Sequence, residues 1–182
     1  MLTKKEFEIM AYLESNQGAA TQRELAAKLG VSVGTVNKNL KELSQKGYYA
    51  DGIVTKKGLD ALEPYRVKRA VFIAAGFGSR LVPITFNTPK PLVRVHGVRI
   101  IDTLLDAVVA AGIPEIVIVR GYLGEQFDQL LYKYPGIKFV ENPIYNEANN
   151  ISSAACVKYL LQNAYVLEAD LVLHNKNLIR KY

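Results

Sequence analysis

The stretch FIAAGFGSRLVPITFNTPKPLV, Phe72 to Val93, leaves an apolar strand and then delays the helix that ordinarily follows one. Gly76, Gly78 and Ser79 come first, then Arg80, then Lys90 set among Pro83, Pro89 and Pro91. Long loops inside compact domains are usually functional. Small residues at Gly76 and Gly78 let backbone amides turn toward an anion without a Cβ in the way. Arg80 offers a planar fork that matches two phosphate oxygens, and Lys90 offers a compact point charge restrained by the prolines on either side. The bland alternative is a structural loop with two ordinary surface cations.

Two familiar phosphate loops are excluded. A dinucleotide-binding fingerprint needs a third glycine leading into a helix, yet Leu81 stands there and Pro83 follows. The Walker motif needs Gly-Lys-Ser/Thr, which GFGSRL does not supply.

Outward from the loop, strand and helix patterns alternate. RAVFIAA reads as a buried strand, and IIDTLLDAVVAAG carries the apolar stripe of a helix that Gly112 ends. EIVIVRGY, GEQFDQLLYKY and IKFVEN follow as strand, helix and strand; NNISSAACVKYLL and AYVLEADLVL follow as helix and strand. That alternation predicts an α/β fold with a mostly parallel sheet covered on both faces, in a domain over 67–182. In such sheets ligands gather beyond the carboxyl ends of the strands, where the glycine loop lies.

Residues 1–66 follow a different pattern, with Pro64 and the polar YRVKR at the boundary. KKEFEIMAYLES, TQRELAAKLG and SVGTVNKNLKELSQKG read as three helices, with a Thr21–Glu24 capping box, Ser32 as N-cap, and Gly30 and Gly47 as stops. YYADGIVT is a hairpin turning at Asp51–Gly52, and KKGLDALEPY closes the segment as a short helix. This order resembles a winged helix-turn-helix domain. The resemblance implies DNA contact through residues 32–57, with Ser32, Thr35, Asn37, Lys38 and Lys41 on the outward face of the second motif helix and Lys56 and Lys57 past the wing. From Val31 to Lys57 there are 5 lysines against Glu42 and Asp51, a surplus that predicts weak, salt-sensitive binding unless the protein forms a homodimer. Solvated faces of an interaction module are the alternative.

The composition of the 182 residues narrows the class. A 49% hydrophobic content with 22% charged residues is that of a globular protein, and no apolar run of about 18 residues is present to insert in a membrane. MLTKKEFEIM lacks the apolar centre of a signal peptide, and the single Cys156 can form no internal disulfide, so a cytoplasmic location is expected. The formal net charge of +6 suits an anionic partner. His96, His174 and Cys156 have no partner at metal-ligand spacing.

In VLEADLVL, Glu168 and Asp170 stand two apart, so on a strand they project from one face near its carboxyl end. Carboxylates that interrupt an apolar strand need a cation to balance them, unless they simply face water. In ENPIYNEANNISSAACVKYLL, the polar Asn142, Tyr145, Asn149, Asn150 and Ser152 cluster before or at a helix start, where they can cap the helix or recognise a ligand.

AAGFGSRLVPITFNTPKPLV, as G-x-G-S/T-R followed by P-K-P-L, resembles the signature of nucleotidyltransferases that make nucleotide-diphospho compounds. The resemblance implies a Rossmann-like, mostly parallel sheet over 67–182 and transfer from an NTP to a phosphorylated small molecule with release of pyrophosphate. It implies that Gly76, Gly78, Ser79 and Arg80 hold the triphosphate, that Lys90 contacts the reacting phosphates, that Ala74 and Ala75 lie along the nucleoside, and that Asp170 binds Mg²⁺. Asn149–Asn150 followed by Ser152 is similar to the branch using CTP and phosphocholine, more than to the sugar-1-phosphate branch. An acceptor phosphate would attack the α-phosphorus in line, and being ionised already it needs no general base. Relatives of this kind continue beyond the strand holding the aspartate, so the domain is expected to be C-terminally truncated at Tyr182. The rival reading is a DNA-binding regulator whose second domain senses a nucleotide.

Overall fold

The computed structural model describes residues 1–18, 20–148, 150–180 and 182, and the chain divides into two compact units, Met1–Arg66 with Tyr182, and Val67–Lys181.

In the first unit, helices α1 (Lys4–Ser15), α2 (Gln22–Leu29) and α3 (Val33–Gln45) precede strands β1 (Tyr49–Ala50) and β2 (Ile53–Val54) and helix α4 (Lys56–Leu62). Each helix starts on a hydroxyl: Thr3, Thr21, Ser32 and Thr55 accept from the amides of Glu6, Glu24, Thr35 and Gly58. Thr21 and Glu24 form the expected capping box, and Thr3 and Glu6 form a second. Gly30 ends α2 at φ 63°, and the antiparallel β1–β2 hairpin turns through Asp51 and Gly52 at φ 50° and 87°, as a two-residue turn requires. Ile9, Met10, Leu13, Leu25, Val36, Leu40, Leu43 and Leu62 fill the core. The carboxylate of Glu6 is wholly buried there, with Lys46 Nζ at 2.5 Å and the Thr3 amide at 2.9 Å.

The second unit is built on a four-stranded parallel sheet ordered β7-β6-β3-β8: β3 (Arg69–Ile73), β6 (Glu115–Arg120), β7 (Ile137–Glu141) and β8 (Ala164–Glu168). Strand β3 is central and apolar on both faces. Ala70 and Phe72 pack under α5 (Ile100–Ala110) with Ile101, Leu105, Ile118 and Phe127, while Val71 and Ile73 pack on the other side with Val117, Val119 and Val157. This two-sided burial explains the unbroken hydrophobic run. Between β3 and α5 the chain makes three short 3₁₀ turns, Ser79–Leu81, Ile84–Phe86 and Lys90–Leu92, and the hairpin β4 (Arg94–Val95) with β5 (Val98–Arg99). Helix onset is indeed postponed to Ile100.

Three expected elements differ in form. Gly124–Tyr132 is a 3₁₀ helix, and its buried residues Gly124, Phe127 and Leu130 recur every three positions, the period at which 3₁₀ side chains line up. The helix after residue 149 is short, α6 (Asn150–Cys156), and a 3₁₀ turn at Lys158–Leu160 completes it. The last strand stops at Glu168 because its neighbour β3 stops at Ile73, the residue opposite; the Ala169 amide makes a final bond to Ile73 O at 3.2 Å. Asp170 therefore lies in the turn past the strand. No helix among the described residues is long and apolar enough to cross a membrane.

Candidate active site

The carboxyl ends of β3 and β8 open into a cleft of about 230 Å³ that is exposed to solvent. Ala74, Gly76, Gly78, Ser79 and Arg80 line one side, Lys90 and Pro91 another, and Asn150, Glu168 and Asp170 the third. Side chains far apart in sequence thus converge where a parallel sheet places its ligands.

Glycine is required at Gly78, where φ is 65°. A Cβ placed on it would lie 3.0 Å from both Lys90 Cβ and Thr85 Cγ2. At Gly76, which also lines the cleft, a Cβ would by contrast meet no atom within 4 Å. Thr85 is buried, and its hydroxyl donates to Gly78 O at 3.0 Å. Tyr122, just past β6, donates its phenolic hydrogen toward the carbonyls of Thr85 and Phe86, each at 3.0 Å, and Gln126 Nε2 donates to Asn87 O at 2.9 Å. Arg120, at the end of β6, secures this support through Glu141 at 2.6 Å and Asp128 at 2.5 Å, and stacks over Phe139. Burial pulls against its charge, but the two carboxylates outweigh that and strengthen its hold on the proton.

Lys90 Nζ lies 2.5 Å from Asp170 Oδ2, with each side chain about one-third exposed. The residues expected to hold phosphate and metal therefore pair with each other in the ligand-free protein. Asn150 Nδ2 donates to both oxygens of Glu168, at 3.3 and 3.2 Å. Arg80 is exposed and makes no ion pair among the described residues. The cleft balances Arg80 and Lys90 against Glu168 and Asp170.

Other sequence candidates sit elsewhere. Ala75 is buried with its carbonyl taken by the Tyr122 amide and is not among the residues lining the cleft. Ser152 is also buried and is not among the residues lining the cleft; Asn142 Nδ2 donates to it at 2.9 Å and to Ser153 at 3.0 Å. Ser152 thus anchors the start of α6 to the sheet, a structural position. Asn149 lies outside the described residues. Sequence reasoning missed Thr85, Tyr122 and Gln126. Their bonds span 36 to 39 residues for Tyr122 and Gln126, and no local pattern announces them.

Residues 70–182 match the MobA-like NTP transferase domain, over more than half of the chain. The chain belongs to this family of NTP transferases. Residues 2–48 match a winged helix-turn-helix DNA-binding family. The NTP transferase part is 46% identical over 113 residues to a 2-aminoethylphosphonate cytidylyltransferase of Lancefieldella rimae, covering 61% of this chain and 46% of the relative. It is 45% identical over 112 residues to a choline-phosphate cytidylyltransferase of Streptococcus pneumoniae, covering 62% and 48%. A solved structure of the CTP:phosphocholine cytidylyltransferase from Streptococcus pneumoniae superposes with a TM-score of 0.59 at 44% identity, covering 64% of this chain and 50% of that one. The chain spans about half the length of the curated relatives it matches. In this NTP transferase domain, Glu168 and Asp170 offer hard oxygen donors beside the glycine loop, the kind of donor set that Mg²⁺ takes together with substrate phosphates. Among the described residues no cluster of three or more His, Cys, Asp or Glu forms a metal cage.

Proposed function

We propose that the second unit, within the full-length protein, transfers a cytidylyl group from CTP to a small acceptor bearing a phosphate or phosphonate, with phosphocholine favoured, and releases pyrophosphate. The observation that carries this reading is the convergence of Arg80, Lys90, Glu168 and Asp170 on one cleft at the sheet's carboxyl edge. The cytidylyltransferase relatives support the choice of base, and the acceptors in their names support a small phosphate- or phosphonate-bearing acceptor.

Ala74 gives the nucleoside an apolar wall. Arg80, free of a carboxylate partner among the described residues, grips the departing β- and γ-phosphates with its fork. Lys90 leaves Asp170 for the α-phosphate and neutralises charge as the acceptor oxygen attacks phosphorus. The new bond joins acceptor oxygen to the α-phosphorus; the bond to the bridging oxygen breaks, and its electrons leave with pyrophosphate. Asp170, with Glu168 beside it, would hold Mg²⁺. When bound, that ion would screen and polarise the phosphate oxygens. Asn150 holds Glu168 in place through both carboxylate oxygens.

The test has two stages. Thermal stabilisation of this chain by Mg²⁺ with CTP should exceed that by ATP, GTP or UTP. The full-length protein should then release pyrophosphate with phosphocholine or 2-aminoethylphosphonate. Stabilisation without turnover on any phosphorylated acceptor would replace the transferase reading with that of a nucleotide sensor.

For the first unit we propose DNA binding through residues 32–57, supported by the exposed Lys38, Lys41, Lys56 and Lys57. Ser32 and Thr35 bond to each other at the start of α3, so they serve the helix before any base edge. Anisotropy titrations with duplex DNA should show affinity that falls steeply with salt, and less steeply after Lys38→Ala with Lys41→Ala. A slope unchanged by both substitutions would refute it.

A further inference from the structure

The loop's two cations sit ten residues apart, and Gly78 lies beside both Thr85 and the base of Lys90. Thr85 is 2% exposed, in a loop whose other residues are mostly exposed. Its hydroxyl donates to Gly78 O, which also receives the Leu81 amide at 2.9 Å, so that carbonyl is held by two donors. Its methyl group lies against the α-carbon side of Gly78, whose other close neighbour is Lys90 Cβ. Its own carbonyl is held by Tyr122 from the sheet. Thr85 thus joins the sheet, through its backbone carbonyl, to the Gly78 turn that carries Arg80 and lies beside Lys90 Cβ, through its side chain.

We infer that Thr85 is a positioning residue for polyphosphate binding: it sets the spacing between Arg80 and Lys90 through the Gly78 turn, with Tyr122 as its brace on the sheet. This rests on the reading that the cleft takes a nucleotide's phosphate chain. Without the hydroxyl, Gly78 O loses one of its two donors and the turn can rotate about its glycine. The two cations then meet the phosphates in the right geometry only part of the time, and affinity falls in proportion to that fraction. A contact that served folding alone would change stability and leave the affinity of folded protein unaltered.

The experiment compares Thr85→Val, which keeps the shape and removes the hydroxyl, with Thr85→Ser, which keeps the hydroxyl, using calorimetric titration of Mg²⁺ with inorganic tripolyphosphate, with CTP, and with cytidine. Thr85→Val should bind tripolyphosphate and CTP roughly 5- to 10-fold more weakly, the scale of one neutral hydrogen bond, with cytidine unchanged. Thr85→Ser should restore most of the loss. Tyr122→Phe, which removes only the brace, should weaken the same two ligands in the same proportion, and it decides the matter if Thr85→Val does not fold. Wild-type affinity for tripolyphosphate retained in the folded Thr85→Val protein, or in Tyr122→Phe where that is the variant measured, would overturn the inference. Absence of tripolyphosphate and CTP binding in the wild type would instead overturn the functional reading beneath it.

Discussion

Lys90→Met should make the cleft bind a divalent cation more tightly in the absence of nucleotide, although it removes a group proposed to act in transfer. In the ligand-free protein the Lys90 ammonium lies 2.5 Å from Asp170 Oδ2, so an arriving cation must displace it from the same carboxylate. Full Coulomb attraction between two unit charges at that separation ranges from about 2 kcal/mol in water to about 7 kcal/mol near a protein surface. Each side chain is about one-third exposed, so solvent screening reduces the net value to about 1 kcal/mol, the upper end for exposed pairs. Removing the competitor should therefore tighten Mn²⁺ binding by about fivefold. With CTP present the wild type should gain affinity for the metal, because the phosphates draw Lys90 off Asp170. The variant, having nothing to draw off, should gain less, by about the same factor, since coupling between two ligands is reciprocal. Free Mn²⁺ can be followed by electron paramagnetic resonance, with and without CTP, and Asp170→Asn serves as the control that loses the site. The reasoning fails if Lys90→Met binds Mn²⁺ alone no better than wild type, or if its metal affinity rises with CTP as much as the wild type's does.

Gly78→Ala should destabilise the second unit by about 1–2 kcal/mol, because a side chain there is strained by the positive φ and crowds Lys90 Cβ and Thr85 Cγ2; denaturant melts read this, and an unchanged midpoint would contradict it. In the first unit, Lys46→Met should destabilise more than Glu6→Gln. The former leaves a wholly buried carboxylate without its cation, while the latter leaves a half-exposed ammonium that water can solvate. The order of their urea midpoints checks this, and the reverse order would count against it. Glu115 is held below the usual glutamate range, first by its hydrogen bond to Lys138, against the opposing pull of partial burial and with help from Arg69. Its contribution is therefore present above the ordinary glutamate value of 4.5 and is lost as pH falls through the lowered folded value. Glu115→Gln should flatten the acid side of the stability profile over that window, and a profile of unchanged slope would exclude Glu115 as its source.

What could be read from the sequence was chemistry confined to short spans. The Thr21–Glu24 cap, the Asp51–Gly52 turn and Gly78 of the loop after β3 each obey a rule of local backbone geometry, so residue type alone places them. The alternation around β3 and α5 was equally plain, because burial on both faces imposes an apolar run that a loop would not carry. Contacts made at a distance were hidden. Nothing near Ser152 says that Asn142 bonds to it, and nothing near Lys90 says that Asp170, 80 positions on, is its partner. The Gly124–Tyr132 segment shows why helix type was misread: Phe127 and Leu130 fit both an α-helix and a 3₁₀ helix, and only the burial of Gly124 separates the two.

The balance of charge in the cleft bears on how such a loop can recognise its ligand at all. Two cations beside two carboxylates give the empty cleft no net charge to attract a polyanion, so the +6 of the whole chain says little about this site. On the proposed function, affinity would come from rearrangement: Lys90 would exchange Asp170 for phosphate, and Asp170 would exchange Lys90 for a metal ion arriving with that phosphate. Each exchange alone leaves a charge without its partner, and both together leave none. On that reading metal and nucleotide binding would reinforce each other, and the specificity for a metal–polyphosphate complex would reside in the ion pair that the ligand-free protein keeps closed.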